Sequence, residues 1–251
     1  MSQNLSGRTV VVAGSTSAAG VAVVRTLSQA GAQVAAVDIL EDRVQELSGT
    51  YENVTGYVCN LSEPQAVEDL AESVRQDLGP VDGLVHLVGG WRGGQGIKGQ
   101  ADDDWDFLHT SVLTTLRNTS RAFYDDLAAS PAGRLAIVSA ESASSPTADG
   151  AAYAAIKSAA EAWTLAVADG FRQLQVGNES LSAQHSAALV LVVKALVDDR
   201  MRAAQPERKF PGFTDVSVLA DAVERIFHLE AEQINGQRLP LTAGHLAGAL
   251  S

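Results

Sequence analysis

Tyr153 and Lys157 stand four residues apart in the run Tyr153-Ala-Ala-Ile-Lys157, where a stretch of helical periodicity begins. On a helix that spacing puts the phenol and the ammonium on one face. A phenol with a pKa of about 10 is a poor base at neutral pH. A neighbouring cation favours the phenolate, and the pair can then pass a proton to or from an oxygen atom. Tyr-x-x-x-Lys also occurs by chance on helices, so its meaning depends on what the rest of the chain builds around it.

Residues 10–38 supply that context. The apolar run Val10-Val11-Val12 enters a turn of small residues from Gly14 to Gly20. A segment with Val21, Val24, Leu27 and Ala30 on one helical face follows. Gly31 ends it, and a second apolar run, Val34 to Val37, closes on Asp38. Strand, glycine-rich turn, helix, strand and acid in that order outline a dinucleotide site. Gly14 leaves the strand where a side chain would crowd the turn, and Gly20 lets the helix pack close. Backbone N–H groups at the helix start can face a pyrophosphate, which the helix dipole favours. Gly14, Ser17, Ala18, Ala19 and Gly20 are the candidate contacts there, with Asp38 and Ile39 at the adenosine ribose. A carboxylate at Asp38 can accept from both ribose hydroxyls and repels a 2′-phosphate, so the expected cofactor is NAD (NADH) rather than NADP. With such a cofactor, Tyr153 and Lys157 can shuttle a proton at a carbonyl oxygen while hydride moves at carbon.

The chain has 251 residues, 46% of them hydrophobic, enough for one large α/β domain spanning 1–251. Its net charge of −12 argues against nucleic acid or an anionic membrane surface as partner. The single cysteine, Cys59, cannot form an internal disulfide and fits a reducing compartment. The first residues, MSQNLSGR, lack an apolar signal core, and the longest apolar run, Ala187 to Val193, is far too short to span a bilayer. These features together predict a cytoplasmic protein. No metal is expected in the site.

Helical and strand patterns alternate along the whole length. Helices are predicted over Glu41–Leu47, Ser62–Leu78 with Ser62 as N-cap, Asp102–Ala128 as one long helix, Ala151 into the 170s, and Asp215–Leu229. Strands are predicted over Val54–Cys59 (buried on both faces), Val81–Val88, Arg134–Ser139, Ala187–Val193 and Arg238–Leu241. Residues Gln175 to Gln184 read as an exposed connection. Two loops have their own character. Gly89 to Gln100 is half glycine, and is either a mobile segment offering Trp91 and Arg92 to a substrate or a surface loop with Trp91 tucked against the body. Asp198 to Gly212 is polar and reads as a lid or loop, with Arg92, Arg200 and Arg202 either favouring an anionic or polar substrate or simply solvated. The alternation predicts a three-layer, doubly wound α/β fold with a parallel sheet covered on both faces.

On these residues the chain resembles the short-chain dehydrogenase/reductase family along nearly its whole length. The matching landmarks are the Gly14–Gly20 turn, Asp38, Asn60-Leu61, the fourth strand running to Val88-Gly89, Trp105, the fifth strand ending at Ser139, Tyr153 with Lys157, and Asn235-Gly236-Gln237 before the last strand. The resemblance implies a Rossmann-like fold with seven parallel strands. It also implies a nicotinamide cofactor touched by Asn60, Leu61, Val88, Gly89, Tyr153 and Lys157, and a homotetramer or homodimer packed through the long helices. Lys157 would lower the Tyr153 pKa and bind the nicotinamide ribose.

The departures fall in the catalytic half. Ala18 replaces the middle glycine of the family turn. The family's Asn-Asn-Ala-Gly reads His86-Leu87-Val88-Gly89, with His86 either a site residue or a satisfied structural histidine. Val112 stands where the family carries a proton-relay Asn. The family serine, thirteen residues before the Tyr, falls on Ala140, so the carbonyl-polarising hydroxyl would be Ser139, through a bulge, or Ser142, on the following loop. The family's Pro-Gly and Thr after the sixth strand align with Lys194-Ala195 and Asp199, an acid that either meets the carboxamide or faces water. The leading expectation is an NAD(H)-dependent oxidoreductase interconverting a secondary alcohol and a carbonyl compound. The alternatives are a catalytically impaired member that binds a nucleotide in a binding or regulatory role, and an isomerase or dehydratase on the same fold.

Overall fold

Six mainly apolar runs, Thr9–Ala13 (β1), Gln33–Asp38 (β2), Val54–Val58 (β3), Gly83–His86 (β4), Arg134–Ala140 (β5) and Ala187–Val193 (β6), lie parallel in one sheet. Leu196–Val197 (β7) and Thr214–Asp215 (β8) pair only with each other, and Arg238–Pro240 (β9) adds the seventh strand to the main sheet. The sheet order is β3-β2-β1-β4-β5-β6-β9. The structure, a computed structural model, describes residues 4–176 and 184–241. Strand β1 is buried throughout and its side chains alternate. Val10 and Val12 face the layer of Ala18–Gln29 (α1) and Val216–Arg225 (α9). Val11 and Ala13 face the layer that includes Pro64–Leu78 (α3) and Ala151–Val176 (α7). Covered faces explain why the strands read as unbroken apolar runs. The three-layer, doubly wound architecture is therefore as predicted. The order of strands reverses at β1 and β4, which opens a crevice at their carboxyl ends.

Helix α1 starts at Ala18 because Ser17 caps it: Ser17 Oγ accepts from the Gly20 N–H at 3.0 Å. Gly14 has φ +83°, and a methyl placed there would lie 2.9 Å from backbone atoms of Leu87 and Val88. Ala18 causes no positive φ and no break in the helix.

Several boundaries depart from expectation. Strand β3 ends at Val58 and is an edge strand, so it is half-exposed rather than buried on both faces. Ser62 does not cap α3. Its N–H and hydroxyl both donate to Asn60 Oδ1, Glu63 is the cap residue, and Pro64 opens the helix. Strand β4 stops at His86 instead of Val88. The long helix is three pieces, Asp102–Leu108 (α4), Thr115–Ala122 (α5) and Tyr124–Ala129 (α6), with a π-helical turn over His109–Thr114. Asp215 caps α9, which ends at Arg225. The polar segment after β6 holds a short helix, Asp199–Ala204 (α8), capped by Asp198, while Glu41–Thr50 (α2) and Ala231–Ile234 (α10) complete the helices. Of the predicted connection Gln175–Gln184, residues 177–183 lie outside the described residues, and Gln175 and Gln184 are buried rather than exposed. Among the described residues no helix is long and apolar enough to cross a membrane.

A methyl group at Gly20 would lie 2.2 Å from the Gly14 carbonyl oxygen, with backbone on both sides and no flexible group to yield. Gly20→Ala should cost about 1–3 kcal/mol in urea unfolding. Gly49→Ala, in α2 with open space around it, should instead gain about 0.5–1 kcal/mol. Equal effects at the two positions would mean that the close approach at Gly20 does not constrain the fold.

Candidate active site

The ends of β1 with its turn, β2 at Asp38, β3 with Cys59 to Leu61, and β4 with Leu87 to Gly89 border the crevice. The cleft there has a volume of about 710 Å³ and is lined by Gly14, Ser17, Asp38, Ile39, Asn60, Leu61, Val88 and Gly89 of the expected cofactor contacts. Ala18, Ala19 and Gly20, in the first turn of α1, do not line it, and neither do Tyr153, Lys157, Ser139 and Ser142. The cleft also takes Thr16, Arg43, Phe107, Thr110, Ser111 and Thr115, none of which is conspicuous by type or spacing in the sequence.

Asp38 is tied into the glycine-rich turn. Its Oδ2 accepts from Thr16 N at 3.0 Å and Thr16 Oγ1 at 2.8 Å, and its Oδ1 accepts from Ile39 N at 2.7 Å. Carboxylate oxygens have lone pairs to spare after these bonds, so Asp38 is oriented but still able to accept from a ligand hydroxyl. Arg43 reaches the same corner, 3.5 Å from the Thr16 carbonyl. Next to Thr16, Ser15 Oγ is fully buried and has no hydrogen-bond partner among the described residues. The capped start of α1, a left-handed glycine, an oriented acid and a cleft of this size fit a dinucleotide.

Tyr153 and Lys157 sit on the first turns of α7, with Lys157 Nζ 5.8 Å from the centre of the Tyr153 ring. Lys157 is buried and donates to the Val138 carbonyl at 2.8 Å. A methyl built on Gly89 would lie 3.9 Å from that Nζ and 3.5 Å from Val112. The ammonium therefore stands behind the floor of the cleft, where Val112 offers only carbon. Burial pulls Lys157 down to about 8, against an opposing pull from the Glu161 carboxylate. Burial pushes the Tyr153 phenol up from its ordinary value. That direction is opposite to the lowering expected from Lys157, and its cause is desolvation.

Ser139 and Ser142 separate clearly. Ser139 is buried in strand β5 without a bulge, in straight register with β6, and its hydroxyl donates to Glu161 Oε1. The expectation that Ser139 polarises a substrate thus meets a competing partner. Ser142 lies half-exposed on a single tight turn, Glu141–Ala143, and its hydroxyl makes no hydrogen bond among the described residues. That turn is tied to α7 through Ser158 Oγ, which donates to the Ala143 carbonyl at 2.9 Å.

His86 is a satisfied buried side chain. Thr115 Oγ1 donates to the Ser111 carbonyl, so it accepts from His86 Nε2 at 3.1 Å, while Thr119 Oγ1, which lies 2.9 Å from the Thr115 carbonyl, stands 3.2 Å from Nδ1. These bonds tie β4 to the residues that follow the π-helical turn. Burial first, and the Lys157 charge second, pull His86 down to about 3. The loop Gly89–Gln100 is bound to the turn before α7: Gly94 N and Gly96 N donate to Asp149, and Gln100 links Ala148, Asp149 and Ala152. Trp91 is 70% exposed and so is not tucked against the body. Arg92 lies 4.5 Å from the centre of the Phe107 ring and 3.8 Å from Asp104. Asp199 faces water, Arg202 pairs with Asp215, and Lys194 donates to the Pro211 carbonyl.

Residues 8–180 match the family model described as short chain dehydrogenase. Among curated proteins, the chain is 28% identical over 166 residues to the 2,3-dihydro-2,3-dihydroxybenzoate dehydrogenase of Bacillus subtilis, covering 64% of this chain and 63% of that protein. It is 24% identical over 248 residues to a 3-oxoacyl-(acyl-carrier-protein) reductase of Escherichia coli, covering 96% and 98%. Among solved structures, an NADPH-bound short-chain oxidoreductase of Pseudomonas aeruginosa described as containing an atypical catalytic centre superposes with a TM-score of 0.82 at 19% identity, covering 96% of this chain and 98% of that one.

The neutral state of His86 has a measurable consequence. The unfolded imidazole takes a proton below its ordinary value near 6.5, whereas the folded one resists until about 3. The unfolded state therefore binds more protons in that window, and stability falls as pH drops through it, by up to about 1.4 kcal/mol per unit. In urea titrations between pH 4 and 6, His86→Asn should lose that part of the slope relative to wild type. Identical slopes would mean that His86 is protonated in the fold.

Proposed function

Because the chain belongs to the short-chain dehydrogenase/reductase family, and is thus an oxidoreductase by descent, we propose that it is an NAD(H)-dependent enzyme interconverting a secondary alcohol and the matching carbonyl compound, within one domain. The observation that carries this reading is the placement of Lys157 directly behind Gly89, with Tyr153 one turn earlier on the same helix face. Bound in the cleft, the cofactor would supply or accept the hydride. Tyr153 would hold the proton given to, or taken from, the substrate oxygen. Lys157, anchored on the Val138 carbonyl, would hold the ribose near it and favour the phenolate as charge develops. Ser142 is the hydroxyl free to polarise the carbonyl, since Ser139 is engaged by Glu161.

Asp38 supports NAD over NADP. Its carboxylate is fixed by Thr16 and Ile39 where a 2′-phosphate would meet like charge. Arg43 is the cation on that corner that a 2′-phosphate would need, and the NADPH of the Pseudomonas structure makes the comparison worth running. A second reading, a nucleotide-binding member with impaired catalysis, is favoured by two specific features: Ala140 and Val112 are buried and can donate nothing where the family has a serine and an asparagine. A homodimer or homotetramer is proposed through the face where Ser120 and Arg121 of α5, Tyr124 of α6 and Trp163 of α7 line a hollow. The free, buried Cys59 is compatible with a reducing compartment and supports a proposed cytoplasmic residence.

Fluorescence titration should give at least roughly ten-fold tighter binding of NADH than of NADPH, a difference of about 1.4 kcal/mol. Equal affinities would remove the argument from Asp38. On a panel of ketones and alcohols, Tyr153→Phe should abolish turnover, and Ser142→Ala should lower kcat by roughly 10²-fold or more. Turnover that survives Tyr153→Phe would remove the phenol from the chemistry. Tight NADH binding without turnover on any substrate would favour the second reading.

A further inference from the structure

Glu161 lies one helical turn beyond Lys157 on α7, on the same face as Tyr153 and Lys157. Its side chain is only 14% exposed. Each carboxylate oxygen has its own donor: Ser139 Oγ reaches Oε1 at 2.5 Å and Arg238 Nε reaches Oε2 at 3.0 Å. Arg238, on β9, also donates through Nη2 to the Ala140 carbonyl at 3.2 Å. Three consecutive residues at the end of β5 are thus each held by a different charged side chain: Val138 by Lys157, Ser139 by Glu161, and Ala140 by Arg238. The turn that carries Ser142 begins at the next residue.

A hydroxyl at Ser139 could be satisfied by a neutral acceptor, and placing a carboxylate this deep costs desolvation energy. What a carboxylate adds is a negative charge one turn from a buried ammonium. The groups facing Lys157 are Tyr153 and Glu161 from its own helix, neutral His86 from β4, and Arg238 from β9 by way of Glu161. From the π-helical turn, Val112 stands beside the same Gly89 that Lys157 backs.

We propose that Glu161 is a positioning residue for the Tyr153–Lys157 pair. It keeps Lys157 an ammonium on the Val138 carbonyl, and through Ser139 and Arg238 it fixes the strand end from which the Ser142 turn departs. Its consequence for catalysis rests on the oxidoreductase reading above, but its test does not.

The chain has four lysines, Lys98, Lys157, Lys194 and Lys209. Titration of the full-length protein with ¹³C-labelled lysine by NMR therefore gives four resolvable ε-carbon signals, with Lys157→Met identifying its own. Burial and the Glu161 charge act on Lys157 in opposite directions. Glu161→Gln should lower the Lys157 midpoint by about half a unit or more, and Arg238→Met, which leaves Glu161 unopposed, should raise it. Ser139→Ala removes a hydroxyl and no charge, and should leave the midpoint in place. Unchanged midpoints in Glu161→Gln and Arg238→Met, shifts of the same sign in both, or an equal shift in Ser139→Ala would overturn the proposal. In a second arm, NADH affinity is followed from pH 6 to 10, and its alkaline loss should move to lower pH in Glu161→Gln. Failure of the wild type to bind NADH would count against the cofactor reading alone, because the lysine titration decides the role of Glu161 without it.

Discussion

Helix α1 can pack into the glycine-rich turn only because there is no side chain at Gly20. The Gly14 carbonyl oxygen occupies the space a methyl would need, and Gly14 itself bends back beneath Leu87 and Val88 with a left-handed backbone. That close approach joins β1, α1 and the end of β4 at one point. The helix N-terminus and the oriented Asp38 then border the same cleft. Ala18 in place of a glycine is tolerated because it is exposed on the first helical turn, away from the contact that matters.

The second half of the site depends on charge rather than on close approach. Lys157 is buried, so its ammonium needs both an acceptor and a nearby anion to persist. Val138 offers the acceptor, and Glu161 is placed to offer the anion. The same carboxylate takes up Ser139 and Arg238, which explains why a serine at the end of β5 is not free for substrate. His86 shows the opposite treatment of a titratable group. Two threonine hydroxyls stand against its ring nitrogens, and burial keeps the imidazole neutral, so it joins β4 to α5 without adding a second positive charge beside Lys157.

The outline of the fold was legible because parallel strands covered on both faces must be apolar throughout, and helices on those faces must be apolar on one side. Strand β6 follows its predicted bounds for that reason. The misses share a cause. Strand β3 reads as apolar but has a neighbour on one side only, so it is half-exposed. Ser62 has the composition of a helix cap, but Asn60 two residues earlier captures both of its donors. The long helix keeps its periodicity while a π-helical turn shifts its register by the time it reaches Thr115, a change that residue types do not announce.

The sequence by itself determined the layers, the cleft-forming turn, the acid at the end of β2 and the Tyr153–Lys157 spacing. Each of these follows from local backbone chemistry or from a fixed helical or strand period. Tertiary structure alone decided which hydroxyl is free, which histidine is neutral, and which acid faces Lys157. Ser139, Glu161 and Arg238 are 22 and 77 residues apart in sequence at their two contacts, and no periodic pattern links such positions. Their roles depend on the distances and burial that arise only when β5, α7 and β9 are packed side by side.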